Sequence, residues 1–182
     1  MPSTLRRFNP IFVRILTSCK YASACAACIE KAISIARKIE IADSRTLSIG
    51  DTVIKFSKPV PHGSNNKLGY VVEVSISDGE QKLVFSSDVE GPVLGEQVEF
   101  ILAEKPDMAI IDGPMTYMLG YRYSFESLKQ SIENLRKIIM NGTKTIVLDH
   151  HLLRDLEYKN RISEVLDTAS IMGARILSAA EY

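Results

Sequence analysis

The chain has 182 residues, 46% of them apolar and 24% charged, with 22 basic and 22 acidic side chains. That supplies a buried core for one domain, and it excludes a global field of either sign that would steer nucleic acid or an anionic membrane surface. No apolar run reaches the length needed to span a bilayer, so no membrane partner is expected.

In chain order, residues 1–29 carry no acid and include Arg6, Arg7, Arg14 and Lys20 around the apolar patch IFVRIL. Arg14 interrupts that patch and leaves it too short for a secretory signal, so a cytoplasmic location is expected. The cysteines agree: Cys19, Cys25 and Cys28 are an odd, clustered set and make no disulfide framework. Cys25 and Cys28 form a C-x-x-C with no second pair and no nearby histidine, so they read as small apolar residues of an alanine-rich helix. That helix is predicted over Ala24–Lys38, where Cys28, Ala32, Ile35 and Ile39 share a stripe. Residues 1–37 thus form an atypical, partly helical N-terminal segment ahead of the main region, 38–182.

Two short strands are predicted around Thr46–Ile49 and Thr52–Ser57, split by Gly50-Asp51. The segment KPVPHGSNNK reads as a loop, because two prolines, a glycine and two asparagines leave no room for regular structure. The β-branched runs LGYVVEVSIS and QKLVFSS follow, with Asp78-Gly79 between them as a type I′ hairpin signal. The pattern then changes. Val93–Glu104 is helical, MAIID a buried strand and GPMTYMLGY a loop. Phe125–Met140 has helical periodicity closed by Asn141-Gly142, KTIVLD is a strand, Tyr158–Met172 a helix and ARILSA a last strand. A β-rich part passing into strand–helix–strand–helix–strand gives an α/β or α+β class, with sheet layers covered by helices.

The chemistry concentrates at the strand ends. The chain has three histidines, and each stands where a strand pattern runs into a loop: His62 in KPVPHG, and His150 and His151 after KTIVLD. Asp88 occupies a third such junction, ending KLVFSSD. Singly, a histidine before a glycine is a loop hydrogen-bonder and Asp88 a turn cap. Together, neutral imidazoles and a carboxylate at one rim are a ligand set that zinc, iron or manganese accepts.

The segments IEIAD, PVPHG, LGYVVEVSISD, FSSDVEG, IIDGPMTYMLG, VLDHHLLRD and AAEY, running in order from Lys38 to Tyr182, resemble an uncharacterised archaeal family within the metallo-β-lactamase superfamily. The resemblance implies an α/β fold of αββα type, of which this chain carries the C-terminal half: half of a β-sandwich with flanking helices. It also implies a two-metal centre at one sandwich edge holding zinc or another divalent metal. By the matching motifs, the later metal ligands become His62, a bridging Asp88, and His150 or His151. His150, directly after the strand, is the expected ligand, with His151 in support and Asp149 accepting from a ligand imidazole. Asp112, Tyr117 and Arg154 lie in further matching segments and are candidates for the pocket wall.

The sequence departs from that family at its most diagnostic point. It contains no H-x-H-x-D-H, and no histidine precedes His62. The expectation is a truncated or split metal-dependent hydrolase without catalysis of its own and with no catalytic residue assigned. Its exposed sheet face would be completed by an N-terminal half or by a second copy. The competing readings are a non-catalytic interaction or scaffold protein that keeps half of the fold, and a gene fragment with no separate role. Nucleic acid is not an expected partner: there is no tryptophan and no basic–aromatic interleaving beyond RRF and Tyr121-Arg122-Tyr123.

Overall fold

Short β-branched runs separated by turn residues build the sheet. A computed structural model describes residues 42–182. The expected Ala24–Lys38 helix, the three cysteines and the basic N-terminal segment therefore lie outside the described residues. The first strands, β1 (Thr46–Ile49) and β2 (Thr52–Phe56), pair across a two-residue turn in which Gly50 takes φ +59°, a left-handed conformation that costs glycine little. Two residues of the expected loop, β3 (Val60–Pro61), pair instead with β4 (Tyr70–Val71) as a minimal ribbon.

Next come β5 (Val74–Ser77) and β6 (Lys82–Phe85), which pair antiparallel. Their connection is not the expected type I′ turn. Ser77 pairs with Lys82, so four residues form the loop, and only Gly79 among them has positive φ, whereas type I′ needs two. The Asp78 carboxylate accepts from Glu80 N and Gln81 N, and this side-chain turn displaces the tighter backbone one.

From β6 onward the chain alternates strand and helix: α1 (Glu96–Glu104), β7 (Met108–Asp112), α2 (Phe125–Met140), β8 (Thr145–Asp149), α3 (Tyr158–Arg161), α4 (Ser163–Met172) and β9 (Arg175–Ser178). The expected single helix over Tyr158–Met172 is broken at Ile162, which leaves helical geometry at φ −111° and is fully buried in the core. Helix α2 shows why these helices hold. Ser124 caps it by accepting from Ser127 N, and Leu128, Ile132, Leu135, Ile138 and Ile139 fall on one stripe. Each such burial stabilises the fold by about 1.5–3 kcal/mol.

Seven strands form one mixed sheet in the order β1-β2-β5-β6-β7-β8-β9, antiparallel up to β6 and parallel from β6 to β9. Side chains of α1, α2 and α4 share one core with Val84, Ala109, Ile111, Ile146 and Leu148, so the helices cover a single face of the sheet. The other face carries a register-matched apolar row across six strands, namely Phe56, Val74, Phe85, Ile110, Val147 and Leu177. Part of that face is open, with Phe85 42% exposed and Ile76 40%. Among the described residues no helix is long and apolar enough to cross a membrane.

Between β4 and β5 lies Glu73, fully buried, with no hydrogen-bond partner for either carboxylate oxygen. Burial pushes its pKa up from 4.5 to about 9.

Candidate metal centre

Parallel pairing brings the carboxyl ends of β6, β7 and β8 to one rim, where α/β sheets place their ligand sites. Strand β7 ends in Asp112 and pairs in register with Asp149, the last residue of β8. Two residues on, His151 opens the 3₁₀ turn Leu152–Arg154, which folds its imidazole back toward Asp112. Fully buried Leu152 anchors that turn against Gly113, where an added Cβ would lie 2.6 Å from Leu152 Cβ. Glycine is required here by close approach.

The other two segments are held with equal definition. Fully buried Gln97 donates from Nε2 to Pro61 O and Gly63 O, both at 2.8 Å, and so clamps the loop on either side of His62. Asp88 stands between two non-glycine residues in left-handed conformation, Ser87 at φ +60° and Glu90 at φ +52°. Such conformations persist only where surrounding contacts enforce them, and they cluster at functional sites. Here Ser87 Oγ donates to Val72 O, Glu90 N donates to Asp112 Oδ2 at 2.7 Å, and Val89 between them is fully buried.

The donor atoms converge. Those of Asp88, Asp112, His150 and His151 all lie within 4.8 Å of one another, an arrangement that can hold a metal ion. His62 joins from the far side, with Nε2 3.1 Å from Asp88 Oδ1 and 3.9 Å from Glu90 Oε1. Asp88 Oδ1 is also 3.6 Å from His151 Nδ1. That oxygen is buried yet makes no hydrogen bond, since its approach to His62 has ion-pair distance without hydrogen-bond angles. The Asp88 side chain is 41% exposed, and Oδ1, lying between two imidazoles, is an atom that a cation could engage.

Both oxygens of Asp112 reach His151 Nδ1, at 2.8 and 2.9 Å. A carboxylate only accepts, so in the metal-free site the Nδ1 proton of His151 is donated to Asp112. Burial pulls the His151 pKa down. The Asp112 hydrogen bond and the charges of Asp112, Asp88 and Glu90 outweigh it, and the ring titrates above its ordinary range. His150 is more exposed and lies against the His151 ring, with centroids 4.3 Å apart. Tyr117 lies parallel to His151, 6.4 Å away, and accepts a hydrogen bond from Arg154.

All four residues singled out as ligands, His62, Asp88, His150 and His151, therefore meet at this rim. Of the two adjacent histidines, His151 is the buried one clamped by Asp112 and His150 the more exposed, and both offer a donor atom to the cluster. Asp149 accepts His150 N at 2.7 Å, and among the described residues no imidazole bonds to it. Three contributors escaped the sequence reading, or were ranked low by it. Asp112 was legible as an acid ending an apolar strand, by the same logic that singled out Asp88. Glu90 and Gln97 carry no such signal, because their roles come from backbone conformation and a clamp over 34 residues of chain.

No family model matches the chain. Its close homologues are archaeal proteins named UPF0282. A UPF0282 protein of Korarchaeum cryptofilum is 52% identical over 143 residues, covering 79% of this chain and 48% of that protein. One of Saccharolobus solfataricus is 44% identical over 146 residues, or 80% and 47%. One of Sulfurisphaera tokodaii is 41% identical over 148 residues, or 81% and 48%. The chain spans about half the length of the curated relatives it matches.

Proposed function

We propose that this rim is one side of the divalent-metal centre of a metallo-β-lactamase-type hydrolase, as the resemblance of its motifs implies. The observation that carries the reading is Asp88 Oδ1, buried, without a hydrogen bond, and set between the imidazoles of His62 and His151. Asp88 is the shared donor, His62 stands on one side of it and His151 on the other. Asp112 holds the His151 ring, and exposed His150 is an auxiliary donor. Imidazole and carboxylate suit zinc, manganese and iron alike. A bound divalent cation supplies Lewis acidity, activating water and polarising a scissile bond. In the metal-free site Asp112 accepts a hydrogen bond from His151 Nδ1, and Gln97 holds the His62 loop in register with it. This sequence contains no H-x-H-x-D-H, so the cation donors proposed here are His62, Asp88 and His151, with His150 auxiliary.

The apolar sheet face supports a second element of the proposal: another sheet layer, from an N-terminal half or a second copy, packs on Phe85 and Ile76. The same face favours the scaffold reading, in which partner binding continues without metal chemistry.

The test is metal uptake by the purified full chain, stripped with chelator and titrated with Zn²⁺ and Mn²⁺. Saturable uptake that is lost on Asp88→Asn is expected. Uptake absent from the wild type, or unchanged in that variant, overturns the centre. Partner capture that survives Asp88→Asn supports the scaffold.

A further inference from the structure

We propose that Arg154 and Tyr117 form an oxyanion-binding edge beside this centre, and that its substrate carries a phosphoryl or carboxylate group. The inference rests on the metal-centre reading and adds a substrate class to it.

Two 3₁₀ turns follow the strand ends at Asp112 and Asp149, the second opening with His151. Thr116–Met118 holds Tyr117, and Leu152–Arg154 holds Arg154. The turns touch, and these two side chains bond across the contact. Arg154 Nη1 donates to Tyr117 Oη at 2.9 Å, and its guanidinium lies 5.3 Å from the Tyr117 ring centroid. The Tyr117 ring in turn parallels His151 at 6.4 Å, so guanidinium, phenol and ligand imidazole form one series along the rim.

The donor inventory is what points to an anion. Arginine has five N–H donors in a planar fork that matches phosphate and carboxylate, and Tyr117 engages Nη1 alone. Among the described residues no carboxylate pairs with Arg154, as none pairs with Arg122 or Arg175, but only Arg154 stands beside the rim on a tyrosine hydroxyl. Because Tyr117 accepts from Arg154, its own hydroxyl proton is free to donate outward. An exposed cation so tethered has already given up rotamer freedom, which lowers the entropic cost of gripping a ligand.

Charge makes the grip conditional. Asp88, Glu90 and Asp112 put three carboxylates at the rim, and these repel an oxyanion until a divalent cation offsets them. Arg154 adds the further positive charge on the open side. Oxyanion binding therefore follows metal binding.

The experiment titrates methyl phosphate and, separately, acetate into the full chain with and without bound Mn²⁺, comparing wild type with Arg154→Met, Arg154→Lys and Tyr117→Phe. The wild type is expected to bind only when loaded with Mn²⁺, and the tighter probe identifies the group. Arg154→Met should lose about tenfold or more, the size of one charge-assisted hydrogen bond. Arg154→Lys should lose less than Arg154→Met, and Tyr117→Phe should lose a smaller amount, all with unchanged Mn²⁺ affinity. If Arg154→Met binds both probes as the wild type does, the inference fails while the metal centre stands. If that variant loses Mn²⁺ instead, the contact is a strut for His151, and the inference fails too. A wild type that takes up no Mn²⁺ overturns the centre and this edge with it.

Discussion

Asp112 and His151 are 39 residues apart in sequence, yet both oxygens of the carboxylate lie within 2.9 Å of the imidazole Nδ1, and both residues are buried. His150 sits beside them with its ring turned toward solvent, its Nδ1 3.7 Å from Asp112 Oδ1. This asymmetry ranks the two histidines. Asp112→Asn should lower metal affinity by about 10- to 100-fold, the usual effect of losing the partner that orients a ligand imidazole, and His151→Ala by at least as much. His150→Ala should change it by less than either. Calorimetric titration with Zn²⁺ checks the order, and a larger loss in His150→Ala would restore His150 as the principal ligand.

Glu73 makes stability depend on pH. Its folded pKa of about 9 lies above the unfolded value of 4.5, so the folded state binds the extra proton between them. The contribution is full below the unfolded pKa and is lost as pH rises toward the folded one, by up to about 1.4 kcal/mol per pH unit. Urea unfolding at pH 5, 7 and 9 should show that decline in the wild type and a flatter profile in Glu73→Gln, which carries no proton to lose. Parallel profiles for the two proteins would remove Glu73 as the cause.

Gly113 is constrained by contact alone, since its φ is not positive. Gly113→Ala should destabilise the fold by about 1–3 kcal/mol through overpacking against Leu152. It should also weaken metal binding, because Leu152 anchors the turn that carries His151. Gly142→Ala is the matched control. That glycine has φ +105° with nothing within 4 Å, so strain there should reduce the melting temperature and leave metal binding alone. A Gly113→Ala protein that loses stability but binds metal normally would separate the anchor from the site.

Much of this was legible in the sequence for definite physical reasons. The stripe of Leu128, Ile132, Leu135 and Ile139 fixes α2 by its period, and Asn141-Gly142 marks its end. The β-branched runs mark β2, β7 and β8, and the residues at their ends mark the rim. What stayed hidden depends on pairing. Two-residue strands such as Val60–Pro61 are too short to leave a pattern, so their loop looked structureless. Asp112 reaches His151 only because β7 and β8 are parallel with Asp112 opposite Asp149, and periodicity carries no information on register. The break at Ile162 was equally invisible, since the apolar period continues through it.

The left-handed backbone at Ser87 and Glu90 sets two selective pressures against each other. Each such residue costs about 1–3 kcal/mol that glycine would largely spare. Directed evolution for heat resistance alone would drift toward glycine at both positions, loosening the segment that aims Asp88 and deleting the Glu90 carboxylate. Libraries built on this scaffold therefore need a screen for bound metal beside the thermal one, or the winners will be sturdier proteins with a blunted rim.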